Sequence, residues 1–538
     1  MNQHFLSPNA VHELTQSYSQ SLGMFSPELV LCCGIILMLV LRLFSSFNRL
    51  NMGYLALGIT LVSLWLAWTA WQPFLTSTPV NERHSLFAGM LVFDGLSAFL
   101  RLLLLVAAAL LIWLTLLTGI PDRDDSADFY TLLLGGTLGM ILMGAANHLL
   151  MVFMAVEMAS LPSYGLAGFL KGRRQSSEAA LKYVIYGGAA AGVMLYGISL
   201  LVGRFGTGYL PEVAASYLAV VQKGGFDPLL MAGTLLILVG LAFKLSAVPF
   251  HFWCPDVFEG AAAEVGAFLS ISSKAGAVAL TGRLLLNLTG SSLDALGTAE
   301  QWRQASVYLG PALVLLASIT VTFGNLAAYT QTNLKRLLAY STIAHAGIVL
   351  AALATLTAEG VAAGLLYMTF YLFMNAGAFG VVAFLRNQIG SEDASAYKGM
   401  IRKSPLQTIC LAVFFLSLVG LPPFVGYVAK FEVFASIYHA AVQQKNMGLI
   451  VLLLIALINT VFSLFYYVRV LKIMIIESAP EGESTSPLAI SPLQNVYSLF
   501  LAMIVILGVL IWDPLAQFGT QRSVMPFRDP VPLANPTK

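Results

Sequence analysis

Charged residues are scarce in this sequence. Asp, Glu, Lys and Arg make up 10% of its 538 residues, whereas about a quarter of an ordinary soluble domain is charged. The 28 Lys and Arg nearly balance the 26 Asp and Glu, so the formal net charge is +2. This composition excludes a soluble enzyme, a disordered chain and a nucleic-acid-binding protein with a basic face.

Cysteine is also rare, with four in the chain. Cys32 and Cys33 are adjacent, and Cys254 and Cys410 stand alone. No Cys-x-x-Cys or Cys/His spacing indicates an iron–sulfur cluster, a zinc site or a haem attachment. We therefore expect neither a metal nor a cofactor in this chain. Residues 1–25 lack the basic region of a cleaved signal peptide, so we expect the first span to direct membrane insertion.

What the sequence has in abundance is apolar residues, at 58% of the chain. They form fourteen runs long enough to cross a bilayer, which takes about 20 helical residues. The runs are 27–44, 51–71, 92–118, 129–147, 149–170, 179–203, 229–248, 262–288, 306–328, 334–354, 361–386, 406–440, 447–474 and 490–512. The sequence therefore predicts an all-α polytopic membrane protein with about fourteen transmembrane helices.

Two of these runs carry signals for a broken helix. The twelfth run, 406–440, is too long for one straight span and contains Pro422 and Pro423 in its middle. The seventh run ends at Pro249 but stays apolar as far as Trp253. Proline removes a backbone donor and clashes with the preceding turn. We therefore expect the seventh and twelfth helices to be discontinuous.

Short internal matches indicate a repeat. Leu-Val-Gly-Leu at 238–241 recurs at 418–421, and two helical segments at 180–183 and 364–367 match at almost the same separation. Broken helices at corresponding places in two repeats are typical of transporters. The predicted units are an N-terminal three-helix segment (1–128), two five-helix repeats (129–288 and 306–474), and a C-terminal helix with its tail (475–538).

The distribution of Lys and Arg predicts the orientation of the chain. The loops on the side opposite the two termini, with Arg386 counted among them, carry more basic residues than the loops on the side of the termini, which include Arg283. Basic loops prefer the cytoplasm, so both termini are predicted to be periplasmic. The loop 119–128 opposes this bias with four Asp residues around one Arg.

Five charged residues inside or at the ends of apolar runs carry most of the functional argument. They are Glu157, Lys182, Lys244, Lys274 and Lys430. Each costs at least about 2.5–3.5 kcal/mol near the centre of a bilayer. Lysines near an interface can extend to water, and buried charges can form static pairs. The alternative is a proton relay, because Lys and Glu removed from water can exchange protons near neutral pH.

Other polar residues are secondary candidates for the relay. His345 is either a relay group or a hydrogen-bonded interior histidine. His251 and Asp256 flank the first break and lie either at its mouth or in a capped loop. Lys335 begins a span on the predicted cytoplasmic side, beside Arg336, which we expect to anchor the helix at the interface.

Four ordered motifs resemble the antiporter-like membrane subunits of complex I, and most closely the N-subunit family of proton-translocating NADH–quinone oxidoreductase. They are Ser-Glu-Ala-Ala-Leu-Lys-Tyr at 177–183, Phe-Lys at 243–244 with Pro-Phe-His-Phe-Trp-Cys-Pro-Asp-Val-Phe-Glu-Gly at 249–260, Asn-Leu-Lys-Arg-Leu-Leu-Ala-Tyr-Ser-Thr-Ile-Ala-His-Ala-Gly at 333–347, and Gly-Leu-Pro-Pro-Phe-Val-Gly at 420–426 before Lys430. The resemblance covers nearly the whole chain. The wording of two motifs and the absence of a long lateral helix favour the N subunits over their L and M paralogues.

The resemblance implies fourteen helices with two inverted five-helix repeats. It also implies roles for the buried charges. Glu157 and Lys244 would form a coupling pair that Lys182 modulates, Lys274 would be the central relay, and Lys430 would lead to the periplasm.

By the same resemblance, the chain would translocate protons in a bacterial inner membrane, driven by quinone reduction in other subunits. NADH, FMN, iron–sulfur clusters and quinone would bind partner subunits, and this chain would contact neighbouring membrane subunits and lipid but no nucleic acid. Three alternatives remain open: a subunit of a multi-subunit cation/proton antiporter, the homologous subunit of a plastoquinone- or ferredoxin-linked complex, and a static scaffold.

The sequence departs from the family at the start of the eighth helix. A stretch that usually reads Ala-Pro-Thr-Pro-Val is Ala-Ala-Ala-Glu-Val at 261–265. Two prolines are absent and one acid, Glu264, is gained. We therefore expect altered geometry where the family's path from the cytoplasm begins.

Overall fold

The computed structural model describes residues 18–44, 50–76, 83–122, 125–222, 227–289, 299–478 and 486–512. Its helices are Ser26–Arg42 (α1), Met52–Thr76 (α2), Gly95–Thr118 (α3), Ser126–Ala145 (α4), Leu149–Ala167 (α5), Arg174–Phe205 (α6), Leu210–Gln222 (α7), Pro228–Leu245 (α8), Trp253–Gly260 (α9), Ala263–Thr289 (α10), Ala299–Ala328 (α11), Leu334–Leu353 (α12), Ala358–Ile389 (α13), Met400–Lys403 (α14), Pro405–Val419 (α15), Val425–Gln444 (α16), Met447–Ile475 (α17) and Pro492–Leu507 (α18). The predicted periplasmic position of the termini concerns residues 1–17 and 513–538, which lie outside the described residues.

The predicted all-α membrane architecture is confirmed. Twelve described helices are long and apolar enough to cross a membrane, and thirteen if Tyr18–Met24 and α1, which meet at 75°, count as one bent span. The remaining predicted run, 406–440, corresponds to α15 and α16, which are separated by a break. Each of the fourteen runs therefore falls on a helix or on a broken pair of helices.

Both predicted breaks are present. The first separates α8 from α9 and begins at Ser246, whose φ of 56° is left-handed, three residues before the predicted Pro249. A left-handed residue after the last turn ends a helix and lets the next amides bond back to it, as Ala247 N does to Ala242 O at 2.8 Å. The second break follows α15, where Gly420 has φ 88°.

Two short elements were not predicted, although β2 overlaps the first two residues of the run 92–118. Strands His84–Leu86 (β1) and Leu91–Phe93 (β2) form an antiparallel hairpin before α3. Helix α7 is too short to cross a membrane, and it packs against α10 and α11. Its buried residues Leu210, Val213, Tyr217 and Val221 follow helical spacing. A search for long apolar runs misses both elements because neither has the length of a span.

Helix α10 forms the central column of the bundle. All of its residues from Ala263 to Thr289 are buried, whereas most residues of α17 are half-buried or exposed. The column contacts α3, α4, α8, α12 and α13. Side chains on α10 are therefore shielded by protein on every side.

A buried ion pair joins this column to the hairpin end, the end of the bundle at which β1, β2, the start of α3 and the end of α10 meet. Asp94 caps α3 by accepting a hydrogen bond from Ser97 N at 2.9 Å. Its two carboxylate oxygens accept hydrogen bonds from Arg283 at 2.7 and 2.8 Å, and Arg283 also donates to Gly144 O. The prediction that Arg283 is a loop residue is wrong, because its side chain is fully buried in α10.

Replacing Arg283 by Met is expected to destabilise the fold, because the buried Asp94 carboxylate loses the guanidinium that binds both of its oxygens. Removing one partner of a buried ion pair costs about 3–5 kcal/mol. Arg204→Met is the matched control, since Arg204 pairs with Asp227 at 2.9 Å but is 44% exposed, and such pairs contribute about 1 kcal/mol or less. Thermal unfolding in detergent measures the difference. Equal stability of the two variants would contradict the assignment.

Candidate functional site

The predicted coupling pair lies between α5 and α8. Lys244, the penultimate residue of α8, is buried, and its Nζ donates a hydrogen bond to Ser160 Oγ at 3.0 Å. Glu157 is half-buried one turn before Ser160 and lies within electrostatic range of Lys244. Its Oε1 atom is buried and accepts no hydrogen bond from the described residues. Ser160, one turn after Glu157, is therefore the side chain on α5 that accepts the hydrogen bond from Lys244.

Lys274 occupies the first break. Its Nζ donates to Lys244 O at 3.0 Å and forms a short hydrogen bond with Ser246 Oγ. It also lies 5.0 Å from the centre of the Trp253 ring. The carbonyl end of a helix favours a cation, so Lys274 compensates for the interrupted end of α8. Its ammonium group is also within electrostatic range of Lys244.

A hydroxyl cluster lies one turn before Lys274 and joins three helices. Ser270 Oγ on α10 is 2.9 Å from Thr342 Oγ1 on α12 and 3.0 Å from Tyr371 OH on α13. Asn375 donates to Ser270 at 2.5 Å, and Tyr371 donates to Thr342 at 3.1 Å. These four residues, the hydroxyl cluster, link the two predicted repeats.

His345 lies beyond the hydroxyl cluster on α12 and is buried. Its Nδ1 is 2.5 Å from Tyr367 OH, and its Nε2 is 3.3 Å from Tyr467 OH, which also bonds to Ser341. The His345 and Tyr371 rings are 5.2 Å apart. Both imidazole nitrogens therefore face hydroxyl groups that can either donate or accept a proton.

Lys430 occupies the second break. Its side chain is buried, and Nζ donates to Val419 O, the last carbonyl of α15, at 2.9 Å. It lies within electrostatic range of His345. The break is tight, since Gly426 N donates to Ser417 Oγ at 3.1 Å. Each broken helix thus has a lysine at its interrupted carbonyl end.

Lys182 and Asp256 lie away from this line of side chains, at the end of the bundle opposite the hairpin. Lys182 is 38% exposed and forms ion pairs of 2.7 Å with both Glu178 and Asp256. Arg336 pairs with Asp256 at 2.7 Å and with Glu259 at 2.6 Å. These residues form a partly exposed charge network beneath α9.

Lys335 lies at the same end but is buried. Its Nζ donates to Ala261 O at 2.6 Å and forms an ion pair of 2.9 Å with Glu392. Arg386 lies 3.9 Å from Glu392 and 3.7 Å from Glu264. The prediction that Arg386 is a loop residue is wrong, because it is buried within α13.

His251 lies in the first break without a polar link to the lysines. It is buried against the rings of Phe252 and Phe323, with centroids 4.5 Å apart in each case. Its Nδ1 has no hydrogen-bond partner among the described residues. Its carbonyl accepts a hydrogen bond from Cys254 N at 2.9 Å, at the start of α9.

The polar axis is the name we give to the line of side chains that the structure brings together, which comprises Glu157, Ser160, Lys244, Lys274, the hydroxyl cluster, His345, Tyr367, Tyr467 and Lys430. The sequence predictions included its charged members but not its tyrosines, serines or Thr342, because uncharged hydroxyls are common in membrane helices. The four-residue spacing of Tyr367 with Tyr371 and of Ser270 with Lys274 is the signal available in the sequence. In the part of the chain that the structure describes, no group of three His, Cys, Asp or Glu is arranged to hold a metal ion.

Comparison with known proteins identifies related sequences. Residues 146–463 match the family described as NADH:quinone oxidoreductase/Mrp antiporter, TM. The chain is 37% identical over 514 residues to a protein from Anaeromyxobacter sp. (strain Fw109-5) named NADH-quinone oxidoreductase subunit N. That alignment covers 94% of this chain and 96% of the relative.

Solved structures share the fold. A chain of respiratory complex I from Thermus thermophilus, determined with bound aureothin, is 31% identical with a TM-score of 0.68, and the match covers 91% of this chain and 98% of that one. A chain of the Mrp complex from Dietzia sp. DQ12-45-1b has a TM-score of 0.79 at 19% identity and covers 94% and 98%. The second similarity is one of fold alone.

Replacing Gly426 by Ala tests the tight packing that positions Lys430. A Cβ atom there would overlap Ser417 O, a backbone atom that cannot move aside, and overpacking costs about 1–3 kcal/mol or more. Gly188→Ala on α6 is the control, since its Cβ would meet no atom within 4 Å and the stability change is expected within about 1 kcal/mol. Unfolding midpoints report both effects. A tolerated Gly426→Ala would mean that the second break is looser than described.

Proposed function

Since the chain belongs to the NADH-quinone oxidoreductase subunit N family, we propose that it moves protons across the membrane through the polar axis. The single observation that carries this proposal is the succession of protonatable side chains from Glu157 to Lys430. This succession passes through both helix breaks inside a largely apolar bundle. Lys274 and Lys430 also donate to the interrupted helix ends, but a static scaffold could use neutral donors there and avoid the several kcal/mol that each buried lysine costs.

Proton movement begins at the two lysines of the first break. Lys244 and Lys274 carry like charges within electrostatic range, so protonation of one disfavours protonation of the other. A carboxylate at Glu157 stabilises the charge on Lys244, which also donates a hydrogen bond to Ser160 on the same helix as Glu157. A change in the charge of Glu157 therefore shifts the proton between the lysines.

The hydroxyl cluster and His345 carry the proton onward to Lys430. A hydroxyl accepts one proton while donating another, so a proton passes along Ser270, Thr342 and Tyr371 by successive hops, and each hydroxyl then reorients before the next transfer. Several buried oxygens along α10 and α13, at Ser272, Ser273 and Asn375, lack a hydrogen-bond partner among the described residues. Buried polar atoms of this kind usually bind ordered water, which would complete the path.

The energy for this movement would come from quinone reduction in partner subunits. NADH, FMN, iron–sulfur clusters and quinone would bind those partners, and neighbouring membrane subunits and lipid would contact the outer helices of this chain. Glu157 supports a link to a neighbour because it is half-buried, towards the outside of the bundle. We place the protein in a bacterial inner membrane, with the hairpin end outside the cytoplasm and with repeats 129–288 and 306–474 each holding one break.

A multi-subunit cation/proton antiporter is the second candidate, favoured by the match of residues 146–463 to a family whose description names the Mrp antiporter beside NADH:quinone oxidoreductase. The polar axis suits both roles. Co-purification of the tagged chain with NADH-oxidising subunits supports the first role, and its isolation with membrane subunits that lack redox activity supports the second.

Removing a charged side chain of the polar axis is expected to lower the rate of proton pumping strongly. Lys274→Met and Glu157→Gln should each lower proton pumping by assembled complex in membrane vesicles by about tenfold or more, the usual effect of removing a proton-transfer group. Lys171→Met is the control, because Lys171 is 72% exposed and pairs with Asp125. NADH oxidation and dye-reported proton uptake measure the effect. Full pumping by both variants would refute the relay.

Removing one hydroxyl tests the link between the two repeats. Tyr371→Phe keeps the ring and deletes the bonds to Ser270 and Thr342, so we expect fewer protons pumped per NADH oxidised. In the control Tyr329→Phe, the lost hydroxyl donates only to Phe462 O, and the ratio should stay unchanged. A normal ratio in Tyr371→Phe would show that protons bypass the hydroxyl cluster.

A further inference from the structure

Glu264 is a buried carboxylate without a hydrogen bond. It is 2% exposed, in the first turn of α10, and neither of its oxygens accepts a hydrogen bond from any described residue. An ionised carboxylate in this state loses its hydration without compensation, which is costly. A buried polar group without a hydrogen-bond partner is uncommon in a folded protein and calls for an explanation beyond packing.

The nearest cation does not fully engage Glu264. Arg386 lies 3.7 Å away, beyond hydrogen-bond distance, and its guanidinium donates instead to Asn387 at 2.7 Å. Lys335 is within electrostatic range of Glu264 but binds Ala261 O and Glu392. Glu392 therefore has a cation at 2.9 Å, whereas the cation nearest to Glu264 is 3.7 Å away.

Two tyrosines on other helices lie within electrostatic range of Glu264, and neither donates a hydrogen bond to it. Tyr130 on α4 bonds to Thr115, whose own hydroxyl donates to Ile112 O, so the Tyr130 proton points to Thr115. Tyr497 on α18 donates to Leu110 O at 3.5 Å. Among the described residues, the groups near Glu264 are thus two cations, one acid and two tyrosines, and none of them donates a hydrogen bond to its carboxylate.

Glu264 lies between the end of the bundle opposite the hairpin and the central lysine, Lys274. Glu392, the outermost of these groups, is 15% exposed at the end opposite the hairpin. Glu264 lies ten residues before Lys274 on the fully buried column α10, about 15 Å along the helix at 1.5 Å per residue. Glu264 therefore lies on the same buried helix as the central lysine, nearer the end of the bundle at which Glu392 is partly exposed.

We propose that Glu264 is a proton-loading site, an additional protonatable group that takes protons from water through Glu392 and delivers them toward Lys274. The inference rests on the proposed function, because a loading site needs a relay to feed. A proton from water binds the Glu264 carboxylate, and the same proton leaves inward, so the group returns to its starting state in each cycle.

Glu264→Gln in the full chain tests this role, with pumping by assembled complex measured in vesicles from mildly acidic to alkaline pH. We expect a rate about tenfold lower at alkaline pH and a smaller loss at acidic pH, because free protons are scarcer at alkaline pH and Gln stores none. A structural role would lower the rate equally at every pH. Glu259→Gln is the matched control, an acid at the same end, 34% exposed and paired with Arg336, and should leave the profile unchanged.

Two further variants separate the possible outcomes. Glu264→Asp keeps a carboxyl group and should restore most of the alkaline rate. If Glu264→Gln fails to assemble, an Asp variant that keeps most of the alkaline rate supports the inference, and one whose rate is lowered equally at every pH overturns it. If Lys274→Met stops pumping but Glu264→Gln behaves like Glu259→Gln, the loading site is wrong and the relay stands. If Lys274→Met pumps normally, the proposed function itself is wrong.

Discussion

The rest of the structure depends on one constraint: backbone carbonyls at the depth of a membrane must find partners within the protein. An unbroken helix meets this constraint by itself, but the breaks after Leu245 and Val419 leave helix ends inside the bundle. Lys274 and Lys430 donate to the interrupted carbonyl ends. The same two lysines therefore bind the carbonyls at the helix breaks and supply protonatable groups for the proposed proton relay.

This arrangement works only if the lysines stay inside protein. Helix α10 is buried along its whole length, and the Asp94–Arg283 pair ties its hairpin end to α3, while α1 and α3 are joined by the buried Glu28–Arg101 pair at 2.7 Å. At its other end, Glu264 lies near Arg386 and Lys335. The central column is therefore held by charge at both ends and carries its key lysine between them.

Much of the fold could be predicted because hydropathy is local. Apolar runs located each membrane helix, and the prolines at 249 and 422–423 indicated both breaks. The first break nevertheless begins at Ser246, since a left-handed residue can end a helix without leaving a strong signal in the sequence. Basic residues near the ends of runs were harder to place. Arg283 and Arg386 were predicted in loops but are buried, because their carboxylate partners, Asp94 for one and Glu264 with Glu392 for the other, lie on distant segments.

Composition, run length and proline are properties of single segments, so sequence patterns alone predict a membrane bundle with two broken helices and a few buried charges. Which of these charges meet depends on how the helices pack. Lys182 pairs with Asp256 at one end, whereas Lys244, Lys274, His345 and Lys430 line the polar axis. Hydrogen bonds join side chains that are distant in the chain and close in space. The hydroxyl cluster, and the absence of a hydrogen bond to Glu264 among the described residues, are therefore visible only in the packed helices.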